Sequence, residues 1–300
     1  MASQLFQRVI FSAIAASFAC HTFALAKVTV VSSSRNKIYL LISEGLQQTL
    51  EEDFNDVCLS DGVQTEPDFE KEKPSRVIAI GNAATLWAKK NAKEIPLTAS
   101  GVILRTHARE LRDTGGVRLD FPFNSYLNLI REYLPDVHSV GFIYDSALES
   151  PLPAGARKPS DSGGLRIEAA PAAAEHEISA ALQSLKEKGV ESFIATYDPI
   201  VMNPESIKFI VEFCAQNRIA LIVPSKALLK NGGLLSLEAD YVELGRQTGL
   251  MINRILKQPD SGGAMESPQK SEVGINMKMA EALNITFKES AMNRADYIHR

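Results

Sequence analysis

The stretch that most restricts what this chain can fold into is residues 190–249, where short apolar runs alternate with helical periods. Phe193-Ile194-Ala195-Thr196 is too short for a helix and breaks at Tyr197-Asp198-Pro199, so it reads as a strand ending in a loop. Asn203-Pro204 then supplies an N-cap followed by proline at the first helical position, where its missing N–H costs nothing. Behind it, Ile207, Ile210, Val211 and Cys214 fall at i, i+3, i+4 and i+7, one stripe of an amphipathic helix. Ile219-Ala220-Leu221-Ile222-Val223 is a continuous apolar run closed by Pro224-Ser225, as expected of a strand buried on both faces of a parallel sheet. Strand, helix and strand make one βαβ unit. Polar loops at the carboxyl ends of such strands are where open α/β sheets hold ligands.

A chain of 300 residues with 45% hydrophobic content has the apolar material for two lobes. Its 32 basic and 36 acidic residues leave a net charge of −4 without a basic run, which argues against a nucleic-acid surface. Residues 1–26 differ from the rest: Arg8 is the one charge, an apolar run follows, and Ala24-Leu25-Ala26 has the small-x-small pattern of a signal-peptide cleavage site. A leader cut after Ala26 and a periplasmic mature protein starting at Lys27 are therefore expected. The apolar run is shorter than the roughly 20 residues of a membrane span. Lipidation at Cys20 is the competing reading, but Ser17 stands where the usual leucine would be. Of the remaining cysteines, Cys214 sits on the apolar helix stripe, and two buried unpaired thiols, Cys58 and Cys214, are expected.

Taken in order, Lys27-Val28-Thr29-Val30-Val31 reads as a first strand, followed by Ser32-Ser33-Ser34 and a helix through Ile38, Ile42, Leu46 and Leu50. The serines are placed to cap that helix, an arrangement that also suits a carboxylate. Val57-Cys58-Leu59 and Val77-Ile78-Ala79-Ile80 are the next strands, with Gly81 giving a tight turn and Asn82 a cap. Ile95-Pro96-Leu97 and Val102-Ile103-Leu104 read as two further short strands, and residues 115–120 as a hinge strand. The pattern restarts with a helix through Leu127, Ile130 and Leu134, stopped by Pro135, and a strand at 139–145. Residues 146–164, rich in proline, serine and glycine, read as a loop where a crossover helix is usual. A strand at 165–168 and a helix closed by Gly189 follow. After residue 233 come a strand at 234–238, an Asp240-to-Glu243 capping box with its helix, and a last strand and helix over 273–283.

At Leu134-Pro135, 140–144, 227–236, 240–247 and 275–278 the chain resembles the solute-binding proteins of ABC transporters in the ABC_sub_bind family. The resemblance spans roughly residues 27–287 and is most specific at Asp240-Tyr241-Val242-Glu243-Leu244-Gly245-Arg246-Gln247. It implies a type I periplasmic binding protein: α/β, two Rossmann-like lobes with parallel sheets, joined by crossing strands and closing on a small ligand. Family members are associated with amino acids and similar solutes. The implied partition is residues 27–120 plus 234–272 in lobe 1, and 121–233 plus 273–300 in lobe 2.

On this resemblance Asp198 is the carboxylate that pairs with a ligand ammonium. Ser32, Ser33, Ser34, Asn82 and Thr85 correspond to first-lobe loops that hold a carboxylate, while Tyr144, Ser225 and Glu238 flank the same cleft. Two departures stand out. Where members commonly have Asp-Pro, this chain has Ser100-Gly101 and Arg105-Thr106, and the 146–164 loop replaces a helix. The implied function is an exported, monomeric binding protein that delivers its ligand to an ABC transporter permease. The alternative is a periplasmic sensor acting on a membrane kinase or cyclase. An enzyme is not expected: no G-x-S-x-G, Walker or G-x-G-x-x-G string occurs, and His107, His138, His176 and His299 lack metal-ligand spacing. No cofactor or metal is implied.

Overall fold

The computed structural model describes residues 28–61, 67–148, 164–258 and 263–300. The expected leader with Cys20, and the 146–164 loop from residue 149 to residue 163, lie outside them. In chain order the elements are β1 (Val28–Ser32), α1 (Lys37–Thr49), β2 (Phe54–Cys58), α2 (Phe69–Glu72), β3 (Arg76–Ile80), α3 (Asn82–Asn91), β4 (Leu97–Val102), β5 (Gly115–Arg118) and α4 (Phe123–Tyr133). Then come β6 (Ser139–Asp145), β7 (Arg166–Ala172), α5 (Ile178–Glu187), β8 (Ser192–Ile194), α6 (Pro204–Gln216), β9 (Ala220–Val223), α7 (Lys226–Lys230) and β10 (Leu235–Ala239). The chain finishes with α8 (Tyr241–Lys257), β11 (Met265–Glu266), β12 (Ser271–Asn276), α9 (Met277–Leu283), α10 (Glu289–Met292) and β13 (Tyr297–His299).

These strands form two sheets, one ordered β11-β5-β4-β3-β1-β2 and the other β13-β12-β10-β9-β8-β6-β7. Every pair in the first is parallel. In the second, β12 runs antiparallel to β10, and the remaining pairs are parallel. Both sheets are covered on both faces, which is why their strands carry continuous apolar runs. Val28, Val30, Ile78 and Ile80 pack under α1 and α8, while Val31, Val77 and Ala79 face α3. In the second sheet Phe142, Ile194 and Ile222 pack against α4, and Ile143, Phe193 and Leu221 against α5 and α6.

The chain passes between the sheets three times: from β5 to α4, from β10 to α8, and from β11 to β12. This corrects one placement read from the sequence. The strand after residue 233 was expected in the first lobe, but β10 pairs with β9 and β12 in the second sheet. The return comes at Asp240, which caps α8 by accepting the Glu243 N–H at 3.1 Å. Helix α8 then docks on α1: Asn253 donates to the Thr49 carbonyl at 2.7 Å, and Thr49 Oγ1 donates to the Arg246 carbonyl at 3.2 Å. The two helices meet backbone to backbone at glycine. A Cβ on Gly45 would lie 1.9 Å from the Val242 oxygen, and one on Gly245 2.0 Å from the Ile42 oxygen.

Three local readings also change. Asn36, rather than the serines, caps α1, accepting the Tyr39 N–H. The two short strands expected around 95–104 are one strand, β4, because Thr98 and Ser100 are buried with hydrogen bonds from Arg76 and to Thr248. Gly81 takes φ +86 as expected of a tight turn, yet Asn82 does not cap α3 with its side chain.

Candidate ligand site between the lobes

The strands of the two sheets direct their carboxyl-end loops into a shared cleft, and one ion pair crosses it. Arg105 lies in the segment after β4 of the first sheet, and Asp198 in the loop after β8 of the second. Arg105 Nε and Nη2 each lie 2.5 Å from Asp198 Oδ2. The same oxygen accepts the Asp145 N–H at 3.1 Å, and Oδ1 accepts the Ile200 N–H at 3.2 Å. Asp198 is fully buried and the Arg105 side chain is 11% exposed. Four donors on one buried carboxylate offset the cost of removing it from water.

Asn82 positions the arginine. Its side chain donates to the Ile103 carbonyl at 2.8 Å and to Thr106 Oγ1 at 3.0 Å, and accepts the Ile103 N–H at 2.7 Å. The turn that follows β4 is thereby tied to the start of α3, and Arg105 projects from it toward the second lobe.

Beside this pair lies a cavity of about 920 Å³. Its first-lobe wall is the segment from Leu104 to Arg112 with Arg118. The crossing segment supplies Asp120, Phe121 and Pro122, helix α4 supplies Phe123 and Tyr126, and the second-lobe loops supply Ala147, Leu148, Thr196 and Tyr197. Arg118 and Asp120 form a second ion pair across its wall, with Arg118 Nε donating to Asp120 Oδ1 at 3.0 Å and Nη2 to Oδ2. Burial drives the Tyr126 and Tyr197 phenols far above their ordinary range, and the Asp120 charge adds to the effect, so both stay neutral hydroxyls. Tyr197 donates to the Pro224 carbonyl at 3.3 Å, which fixes its ring as a wall.

Of the residues singled out in the sequence, the structure brings Asp198 to the cavity's edge, next to lining residues Thr196 and Tyr197. The others have local partners. Ser33 Oγ donates to the Ile80 carbonyl and accepts the Ala84 N–H, both at 2.9 Å, pinning β1 to β3 and α3. Ser32 is buried at the end of β1, and Ser34 is half-buried beyond it. Thr85 donates to the Gly81 carbonyl within its own helix, and the Tyr144 ring leans on Phe142. Ser225 caps α7, accepting the Leu228 N–H. Glu238 accepts from the Lys226 N–H at 2.9 Å and from the Tyr241 hydroxyl. None of these nine residues is in the cavity wall itself.

Sequence reasoning passed over Arg109, Arg112, Arg118, Asp120, Tyr126 and Thr196. The arginines did leave a signal, since Arg105, Arg109 and Arg112 recur within eight residues at i, i+4 and i+7. The segment is a 3-10 turn with irregular continuation rather than an α-helix, so periodicity alone does not bring them to one face.

Two α/β sheets with helices on both faces, three chain crossings and a cavity between the lobes define a two-lobed binding protein of the type I periplasmic class. Residues 28–298 match the family described as ABC transporter substrate binding protein, and the chain belongs to that family. Similar solved structures include a conserved domain protein from Vibrio cholerae (22% identity, TM-score 0.61) and the ABC domain in complex with L-Trp from Streptococcus pneumonia (21%, 0.60). CD0873, a substrate binding protein with adhesive properties from Clostridium difficile, is similar in its ligand-free, open structure (16%, 0.69). Each alignment covers 91% of this chain and 99% of the other. Among curated proteins there is no match.

Proposed function

We propose that this protein is exported, binds a small solute between its lobes and hands it to an ABC transporter permease. The observation that carries the reading is the cavity of about 920 Å³ at the seam of the two sheets, with the Arg105–Asp198 pair reaching from one lobe to the other beside it. Such a volume suits a small molecule, and apolar walls with a few placed polar groups are the usual composition of such sites. Delivery needs no catalytic group. It needs a ligand that binds one lobe arrangement better than the other, so that binding shifts the population. The family membership supports the partner: substrate binding proteins of ABC transporters present their ligand to a permease.

The test is a thermal-shift screen of organic acids, amino acids, sugars and nucleosides, followed by small-angle scattering of any hit. A solute held at about 100 times its Kd adds about 2.7 kcal/mol of stability. A solute that raises Tm and reduces the radius of gyration supports the reading. A broad screen without a shift in either quantity would remove it.

A further inference from the structure

We infer that a groove on the second lobe, outside the cleft, docks a basic segment of a partner protein, one in which an apolar side chain sits among arginines or lysines.

The groove encloses about 900 Å³ and is walled by the end of β6, the β7–α5 and β8–α6 connections, and the first turns of α5 and α6. All of these elements belong to the second sheet or pack on it, so closure of the lobes leaves the groove open to solvent. Sites for small solutes bury most of the ligand surface. A groove confined to one lobe does not seal a solute in that way, but the surface of another protein can reach it.

Its floor is apolar, formed by Ala174, Ile178, Pro199 and Ile200. Phe209 stands beside it with 39% of its surface exposed, one of three large hydrophobic side chains left exposed among the described residues. The Phe213 ring, 6.3 Å away between centroids, supports it from the next turn of α6. An exposed aromatic ring next to a concave apolar surface is the kind of anchor that protein interfaces cover.

A separate observation is the charge around this floor. Asp145, Glu175 and Glu205 line the groove, no lysine or arginine does, and Glu177 lies next to His176 in the same wall. None of the four carboxylates has a lysine or arginine partner among the described residues. Their hydrogen bonds come from neutral donors: the Ala147 N–H to Asp145 at 2.8 Å, the Asn203 amide to Glu175 at 2.6 Å, and the Ala173 N–H to Glu177 at 2.7 Å. Glutamates at helix starts also complement the helix dipole, and that role accounts for part of the charge. It does not account for all of it. With about half a positive charge from each of the α5 and α6 N-termini, and Lys208 one turn beyond Glu205, the local balance at neutral pH stays at about −2.

The two observations select the occupant. Nucleic acid and anionic lipid surfaces carry the wrong sign, and a purely apolar segment would strip water from the carboxylates without replacing it. A segment with arginine or lysine on both sides of a leucine or aromatic residue fills the floor and pairs with the rim.

An NMR titration of the ¹⁵N-labelled chain with acetyl-Arg-Phe-Arg-amide tests this, with the Gln-Phe-Gln and Glu-Phe-Glu peptides and argininamide as comparisons. The arginine peptide should shift the amide signals of residues 173–179 and 199–209 and bind at least about threefold tighter than the glutamine peptide, as expected of exposed ion pairs. The acidic peptide should not bind, and the arginine peptide should weaken as sodium chloride rises. Glu175→Gln combined with Glu205→Gln, both exposed positions, should weaken it about 2- to 30-fold, and Phe209→Ser by at least about fivefold, with circular dichroism unchanged.

The inference fails if the three peptides shift the groove signals equally, if the arginine peptide shifts none of them, or if the double substitution leaves its affinity unchanged. Argininamide binding as tightly as the peptide would make the groove a small-cation site and overturn it too. Self-association of the chain that Phe209→Ser abolishes would assign the groove to a second copy, with the same consequence. None of these outcomes bears on the solute-binding reading, whose cavity lies between the lobes.

Discussion

Arg105→Met tests the ion pair between the lobes most directly. In the structure Asp198 is fully buried, Arg105 is 11% exposed, and two contacts of 2.5 Å join them. Removing one partner of a buried pair leaves an uncompensated charge and costs about 3–5 kcal/mol. That figure applies while Asp198 stays buried. Because its partner belongs to the other lobe, the molecule has a cheaper response: the lobes separate and water reaches the carboxylate. The penalty should therefore fall on the closed arrangement. At about 1.4 kcal/mol per factor of ten, closure is disfavoured by about 10²- to 4 × 10³-fold, whereas global unfolding changes by much less. The assay is small-angle scattering of the unliganded protein beside urea unfolding. Arg105→Met should raise the radius of gyration with a modest loss of stability. Arg105→Met combined with Asp198→Asn should restore much of the compactness, because no buried charge remains and the amide oxygen still accepts one of the Asp145 and Ile200 N–H groups. If the single substitution leaves both the radius and the unfolding free energy within about 0.5 kcal/mol of the parent, as for an ordinary surface site, the pair does not hold the lobes together.

Gly245→Ala should destabilise the first lobe. Alanine gains about 1 kcal/mol of helix propensity over glycine, but its Cβ would lie 2.0 Å from the Ile42 carbonyl oxygen, backbone that cannot rotate away. Overpacking of this kind costs about 1–3 kcal/mol or more, so urea unfolding should show a net loss, and an unchanged midpoint would contradict the tight α1–α8 contact. Burial acts to raise the Asp240 carboxyl, but hydrogen bonds from the Lys270 side chain and the Glu243 and Val242 N–H groups outweigh it and leave its pKa depressed. Its contribution is complete above the unfolded carboxylate pKa of about 4 and is lost as pH falls through the lower folded value. Asp240→Asn should accordingly flatten the fall in urea midpoint below about pH 4, and an identical acid limb in both proteins would count against the depressed value. Cys58 and Cys214 are free and buried, 2% and 1% exposed, and burial pushes the Cys214 thiol far above its ordinary range. Neither should react with a thiol reagent at pH 8 until urea unfolds the chain; rapid labelling of the native protein would show the core to be open.

Elements whose signal is local were legible in the amino-acid sequence. The strand read at 139–145 is β6 residue for residue, and the caps at Asn203 and Asp240 form as the side chains and following residues dictate. In each case a residue's own geometry, or its spacing from the next apolar position, carries the information. Strand β4 was split because Thr98 and Ser100 look like loop residues. Their burial depends on Arg76 and Thr248, the latter 148 residues from Ser100.

The sequence by itself determined two stacks of β and α elements, the apolar faces that cover two parallel sheets, and the family. Only the tertiary structure decided which sheet takes β10, because its apolar run pairs equally well with any buried parallel neighbour until α8 docks its glycine on Gly45. It also decided the state of Asp198. In the sequence this is a carboxylate at a strand end, open to a ligand. In the fold, Arg105 arrives from 93 residues away and neutralises it. Charge at a site is the sum of groups brought together from distant parts of the chain, and spacing along the sequence carries no record of that sum.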